Sequence, residues 1–138
     1  MDWDELAELL AGAGLAHIAT ASVDGRPHVA VVAPFVEGDG LWIFTTRGSG
    51  KARNLAENPR MALVWRPGPE IYVQADAVLV DDLAEKARLW DSGLLPFDPV
   101  GFFGTPDNPD LVLVRVTPRS ATVLAMGPTG PSRRTWRR

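Results

Sequence analysis

The chain has 138 residues, 46 % of them hydrophobic and 22 % charged, with a formal net charge of −3 and no cysteine. That length and balance suit one globular domain with its own core, and they exclude disulfides, thiolate metal sites and cysteine nucleophiles. The charge is unevenly spread: residues 126–138 hold four arginines and no acid, leaving residues 1–125 with ten cations against seventeen acids, a net −7 that argues against a nucleic-acid partner.

In chain order, the acidic start Met1-Asp-Trp-Asp-Glu5 lacks the layout of a signal peptide. No apolar run approaches a membrane span, so the expectation is a cytoplasmic protein with no membrane partner. Asp2 caps a first helix with Glu5 at capping-box spacing; Trp3, Leu6, Leu9 and Leu10 form its apolar stripe, and Gly12 and Gly14 end it. Residues 15–21 form a strand, and Val23-Asp-Gly25 turns it into a second. Residues 27–35 are nearly all apolar, which predicts a strand covered on both faces. Glu37-Gly-Asp-Gly40 leads into a strand over 41–46, and a short helix over 51–57 stops at Asn58-Pro59.

Residues 61–65 form a strand, Arg66-Pro-Gly-Pro69 a tight turn, and 71–80 a long strand. Asp81 or Asp82 caps a helix reaching about Trp90, with Leu83, Ala87 and Trp90 on one face. Residues 91–110 are a loop or ordered crossover. The strands 111–116 and 121–124 close the fold, broken by Thr117-Pro118. The Gly, Pro and Ser of residues 126–138 mark a flexible basic tail rather than a packed element. Six or seven strands joined by short turns, with two or three small helices, suggest a small antiparallel barrel.

One segment carries chemistry. In Leu41-Trp-Ile-Phe-Thr-Thr-Arg-Gly-Ser-Gly-Lys-Ala-Arg-Asn-Leu55, an apolar strand ends in Thr45 and Thr46, a Gly/Ser turn follows, and Lys51 and Arg53 open a helix. Hydroxyls, free backbone N–H groups and positive charge converge there, as proteins arrange them to hold a phosphate. Cations at a helix start oppose the macrodipole, which suggests that they serve a ligand. The P-loop pattern fails, because Thr45 stands where it needs glycine and Ala52 where it needs Ser or Thr. His17 and His28 have no partners at metal-ligand spacing, so no metal is expected. His28 lies within reach of a ligand on its strand, or is a satisfied structural histidine. Trp65, at a strand end before a turn, suits a half-exposed indole lining a planar ligand, or a core or dimer contact.

Together, Asp24-Gly-Arg-Pro-His-Val29, the strand 41–46, Ser49-Gly-Lys-Ala-Arg-Asn-Leu55 and Asn58-Pro-Arg-Met-Ala-Leu63 resemble the pyridoxamine 5'-phosphate oxidase-like split-barrel superfamily. The likeness is nearest to its general-stress-protein and deazaflavin-dependent reductase branches, and covers residues 13–80 best. It implies a mainly β (α+β) fold: a six-stranded antiparallel split β-barrel with small flanking helices, over residues 1–125. It also implies a homodimer with cofactor sites along the interface. By position, Lys51, Ser49 and either Thr45 or Thr46 would hold the cofactor phosphate, and the backbone of Val29, Ala30 and Val31 would run beside the ring. Trp65 and residues of the second subunit would complete the pocket, and Phe44, Gly50 and Asn54 fall within the same cofactor-binding set. The flavoprotein branch often has an arginine in the second strand where this chain reads Val29-Ala-Val-Val32. Arg47, Arg53 or a partner residue would have to substitute.

The resemblance thus implies an FMN-binding oxidoreductase that transfers a hydride to or from a small-molecule substrate. Its alternatives are a reductase using the deazaflavin coenzyme F-420, or a non-catalytic flavin-binding or storage protein. No side chain stands out as a proton donor; His28 and Tyr72 are the nearest candidates.

Overall fold

The computed structural model describes all residues, Met1–Arg138. Eight strands form one antiparallel sheet in the order β2-β1-β5-β6-β7-β4-β3, with β8 added on β7. The strands are β1 (Ala16–Ala21), β2 (Pro27–Val32), β3 (Phe35–Glu37), β4 (Gly40–Thr46), β5 (Arg60–Trp65), β6 (Glu70–Val80), β7 (Leu111–Gly127) and β8 (Gly130–Arg137). The helices are α1 (Trp3–Ala11), α2 (Gly50–Glu57), α3 (Leu83–Trp90) and α4 (Pro99–Phe103).

The sheet curls around a core to which β1, β4, β5, β6 and β7 all contribute. Ile18, Ile43, Leu63, Val73 and Val114 point inward, and Leu6 and Leu10 of α1 close one end. The capping box at Asp2 and Glu5 is formed, and the buried leucines Leu6 and Leu10 each contribute about 1.5–3 kcal/mol. The path of the sheet ends at β2 and β3, with no ladder joining β2 to β4. The barrel is therefore split there. A second apolar layer, made by Phe35, Trp42, Phe44, Leu89, Leu111 and Leu113, covers the outside of β4 and β7 beneath α3 and the 91–110 segment. Both faces of β4 are thus buried, which is why it reads as an unbroken apolar run.

Four expectations are corrected. The strand over 27–35 is two strands, parted at Ala33-Pro34. Far from being covered on both faces, β2 is an edge strand with Val29 67 % and Val31 58 % exposed, because it pairs only with β1. The closing strands are one, since a bulge that leaves Arg119 unpaired opposite Gln74 and Ala75 accommodates Pro118. On α3 the inward residues are Lys86 and Leu89, while Leu83 faces solvent. Both sets have helical spacing; Lys86 is drawn in by Asp81 and buries its aliphatic stem.

The fourth correction concerns the tail and the strand count. Instead of a flexible end after residue 125, β7 runs to Gly127 and β8 folds back along it, with Trp136 opposite Ala121. Trp136 is buried against Trp3, ring centroids 5.3 Å apart, and Arg134 pairs with Glu5 at 3.0 Å. One large apolar residue and two helix contacts outweigh the low-complexity composition. With β8 and the three-residue β3, the barrel has eight strands rather than six.

Candidate functional site

The split between β2 and β4 holds a pocket of about 250 Å³, lined by Val31, Val32 and Ala33 from β2 and the residues after it, Phe44 and Thr45 from β4, and Lys51 from α2. Phe97, Phe102 and Phe103 of the crossover form its outer wall, in edge-to-face and tilted contacts around Phe44. Three larger concavities, of about 620, 540 and 430 Å³, lie at the Arg66–Pro69 turn, around the Asp76–Arg119 ion pair, and where the end of α2 at Leu55 meets Ala77 and Leu79 of β6. They lack an aromatic wall, so the smaller pocket is the better-formed candidate for a ligand site.

The geometry of the polar end follows from the cap of α2. Ser49 is the N-cap, its Oγ accepting from the Ala52 N–H at 3.3 Å and lying 3.4 Å from the Thr45 hydroxyl. This cap aims the first turn of α2 at the split, where the N–H groups of Gly50 and Lys51 have no intrahelical acceptor. Thr45 is 5 % exposed and Lys51 half-buried. Burial pushes the Lys51 ammonium below its usual range, and no carboxylate pairs with it. A partly desolvated cation with no counter-ion, facing an apolar wall, is suited to an anionic group attached to an apolar body.

Of the residues expected in a cofactor site, the pocket brings together Val31, Phe44, Thr45 and Lys51, with Ser49 and Gly50 just behind them. Thr46 follows Thr45 on the strand and points outward, exposed. Ala30 faces the core side of β2, and Val29 faces the outer side of the sheet with Ala19 and Ala62. Asn54 is occupied otherwise: its Nδ2 donates to the Thr20 hydroxyl at 3.0 Å, clamping α2 to β1. Trp65 is not half-exposed but 1 % exposed, in the barrel core, with its Nε1 unpaired. A strand end inside a closed layer buries what a strand end at a rim would expose.

The arginines also differ from expectation. Arg47 donates to the Pro109 carbonyl at 3.1 and 3.0 Å and to Asp81 at 2.8 Å, tying the end of β4 to the 91–110 segment and α3. Asp81 accepts from Lys86 as well, and hydrogen bonds from Arg47 and then Lys86 lower its carboxyl to about 2. Arg53 donates to the Gly48 carbonyl at 2.8 Å. Lys51 is the one cation that lines the pocket. Tyr72 lies on the outer face and donates to Glu70, which pushes its phenol upward. The phenylalanine wall was not foreseen, though three phenylalanines within seven residues of a Pro/Gly-rich stretch were the available signal.

The family model for pyridoxamine 5'-phosphate oxidase matches residues 2–125. Among solved structures, General Stress Protein 26 from Bacillus anthracis is 20 % identical, with a TM-score of 0.74 over 98 % of this chain and 97 % of that one. A pyridoxamine 5'-phosphate oxidase-related, FMN-binding protein from Nostoc punctiforme is 18 % identical, with a TM-score of 0.74 over 98 % and 90 %. An F-420 reductase is 26 % identical, with a TM-score of 0.62 over 83 % and 93 %. No curated protein sequence matches the chain. No helix is long and apolar enough to cross a membrane.

Proposed function

The chain belongs to the pyridoxamine 5'-phosphate oxidase family, and from that premise we propose that it is an FMN-binding oxidoreductase, acting as a homodimer on a small-molecule substrate. The observation that carries this reading is the meeting of Lys51 and Thr45 with Val31 and Phe44 in one crevice of the barrel split. The donor set fits FMN: one unpaired ammonium, a buried hydroxyl and free helix N–H groups for a phosphate, beside an apolar wall for the chain and ring. FMN supplies hydride transfer when bound. The protein's share is to hold the phosphate with Lys51, Thr45 and Ser49, to pack Val31 and Phe44 against the ligand, and to exclude water with the phenylalanine wall.

The pocket is smaller than the roughly 300–1,000 Å³ usual for cofactor sites. The remainder of an FMN ring would extend along β2, whose outer edge is unpaired. The adjoining outer face carries exposed Val29 and Val31, with Ala19, Val64 and Tyr72 beside them in a shallow furrow of about 220 Å³. A second copy laid on this face would bury those valines and complete the ring's enclosure.

A second reading, the coenzyme F-420 in place of FMN, is favoured by the 26 % identity with an F-420 reductase, above the 18 % with the FMN-binding protein. The ties of Arg47 and Arg53 weigh against it, because a polyanionic tail wants several free cations. Parallel titrations with FMN and F-420, followed by absorbance, decide between them. Micromolar binding of FMN with nicotinamide-driven turnover supports the proposal; FMN bound without turnover reduces it to a binding protein. Failure to bind either cofactor refutes it.

A further inference from the structure

His28 is a titratable side chain beside the first turn of α2 that the reading above leaves without a task. It is the second residue of β2, opposite Thr20 of β1. Thr20 in turn accepts from Asn54, one helical turn beyond Gly50. Gly50 and Asn54 therefore share the face of α2 that lies over β1 and β2. The imidazole fits there because residue 50 has no side chain: a Cβ on Gly50 would sit 2.7 Å from His28 Nε2 and 3.0 Å from Cδ2. The ring is exposed to solvent and makes no hydrogen bond within the chain. Neither His28, Lys51 nor Arg53 forms an ion pair. A histidine with a free ring nitrogen is thus held beside the residue that precedes Lys51, next to unpaired backbone N–H groups, with no acid pairing to it.

We propose that His28 is a further ligand of the cofactor phosphate, seated for that contact by the missing side chain at Gly50. This rests on the FMN reading above. The imidazole N–H donates to a phosphate oxygen from the β2 side, while Lys51 approaches from the α2 side. Two donors on different elements would fix the phosphate's position as well as its charge. Because β2 also flanks the ring's path, the same contact would register the ring on that strand.

The test compares FMN with riboflavin, which lacks the phosphate, on the full chain. His28→Ala is expected to weaken FMN binding about tenfold, the scale of one hydrogen bond to a charged group, and to leave riboflavin affinity within about twofold. Gly50→Ala retains the imidazole but evicts it from its seat, and should give a similar selective loss. The double variant should bind FMN no more weakly than His28→Ala alone. Thermal midpoints report whether each variant folds. Should His28→Ala leave FMN affinity unchanged, or weaken both ligands equally, the inference falls while a loss in Lys51→Met keeps the FMN reading intact. If the wild-type chain binds no FMN but takes F-420, the same comparison is made with F-420 and its phosphate-free chromophore. Binding of neither cofactor overturns both.

Discussion

Replacing Lys51 by Met removes the ammonium and keeps an unbranched stem against the pocket wall, so it isolates the charge. Unit charges about 4 Å apart at an effective dielectric of about 20 attract by about 4 kcal/mol. Desolvation of the phosphate and the ordering of a long side chain offset part of that. Part of the ammonium's own desolvation already occurs on folding, as its lowered proton affinity records. The net is that of a charged hydrogen bond, about 1.5–3 kcal/mol, so the FMN dissociation constant should rise about 10- to 150-fold. Fluorescence titration of FMN measures it, with riboflavin as the control that should not change. Wild-type affinity should fall with added salt, and the Lys51→Met variant should lose most of that dependence. A change below about twofold, in a variant that keeps its thermal midpoint, would refute the reasoning: the phosphate would then lie elsewhere.

Other expectations follow from the same geometry. The Asp81 carboxyl stands at about 2 when folded, below its ordinary value of 3.8, so its contribution is complete above about pH 4 and is lost as pH falls toward 2. Acid unfolding of Asp81→Asn should accordingly show a flatter pH dependence across that window, and an unaltered slope would mean the Arg47–Asp81–Lys86 tie is energetically idle. Trp136→Ala should cost about 2–4 kcal/mol, below a fully central tryptophan because β8 is an edge strand, and hydrogen exchange in α1 should quicken as Trp3 loses its neighbour. Unchanged exchange in α1 would show that the tail does not brace it. Val29→Glu combined with Val31→Glu should shift the protein to monomer in sedimentation with little change in monomer stability, since both side chains are exposed in the single chain. A persisting dimer would place the interface on another face.

Much of the local structure was legible because local rules are strong where they do not compete. The capping box at Asp2 and Glu5, the hairpin at Gly25 (φ 87°) and the stop of α2 at Asn58 lie where their residues predict. That Thr45, Ser49 and Lys51 gather at the start of α2 was legible because these donors are nearly contiguous in sequence. The other wall of the pocket was not, since Phe97, Phe102 and Phe103 reach it only through the crossover that packs on Phe44. Nor was the fate of the arginines. Arg47 is held instead by Asp81, 34 residues away, and by a carbonyl 62 residues away.

The order of strands, the capped helix beyond β4 and the single lysine at its start are properties of the amino-acid string, set by hydrophobic period, turn chemistry and capping over a few residues. Which strand is left at an edge, whether Trp65 or Val29 meets water, and which cations remain unpaired are decided only when distant segments come together. Pairing and burial are relations between elements, and each is settled by what the rest of the chain packs against it. The same apolar run that would be covered on both faces inside a parallel sheet lies open on β2, because here the barrel stops one ladder short of closing.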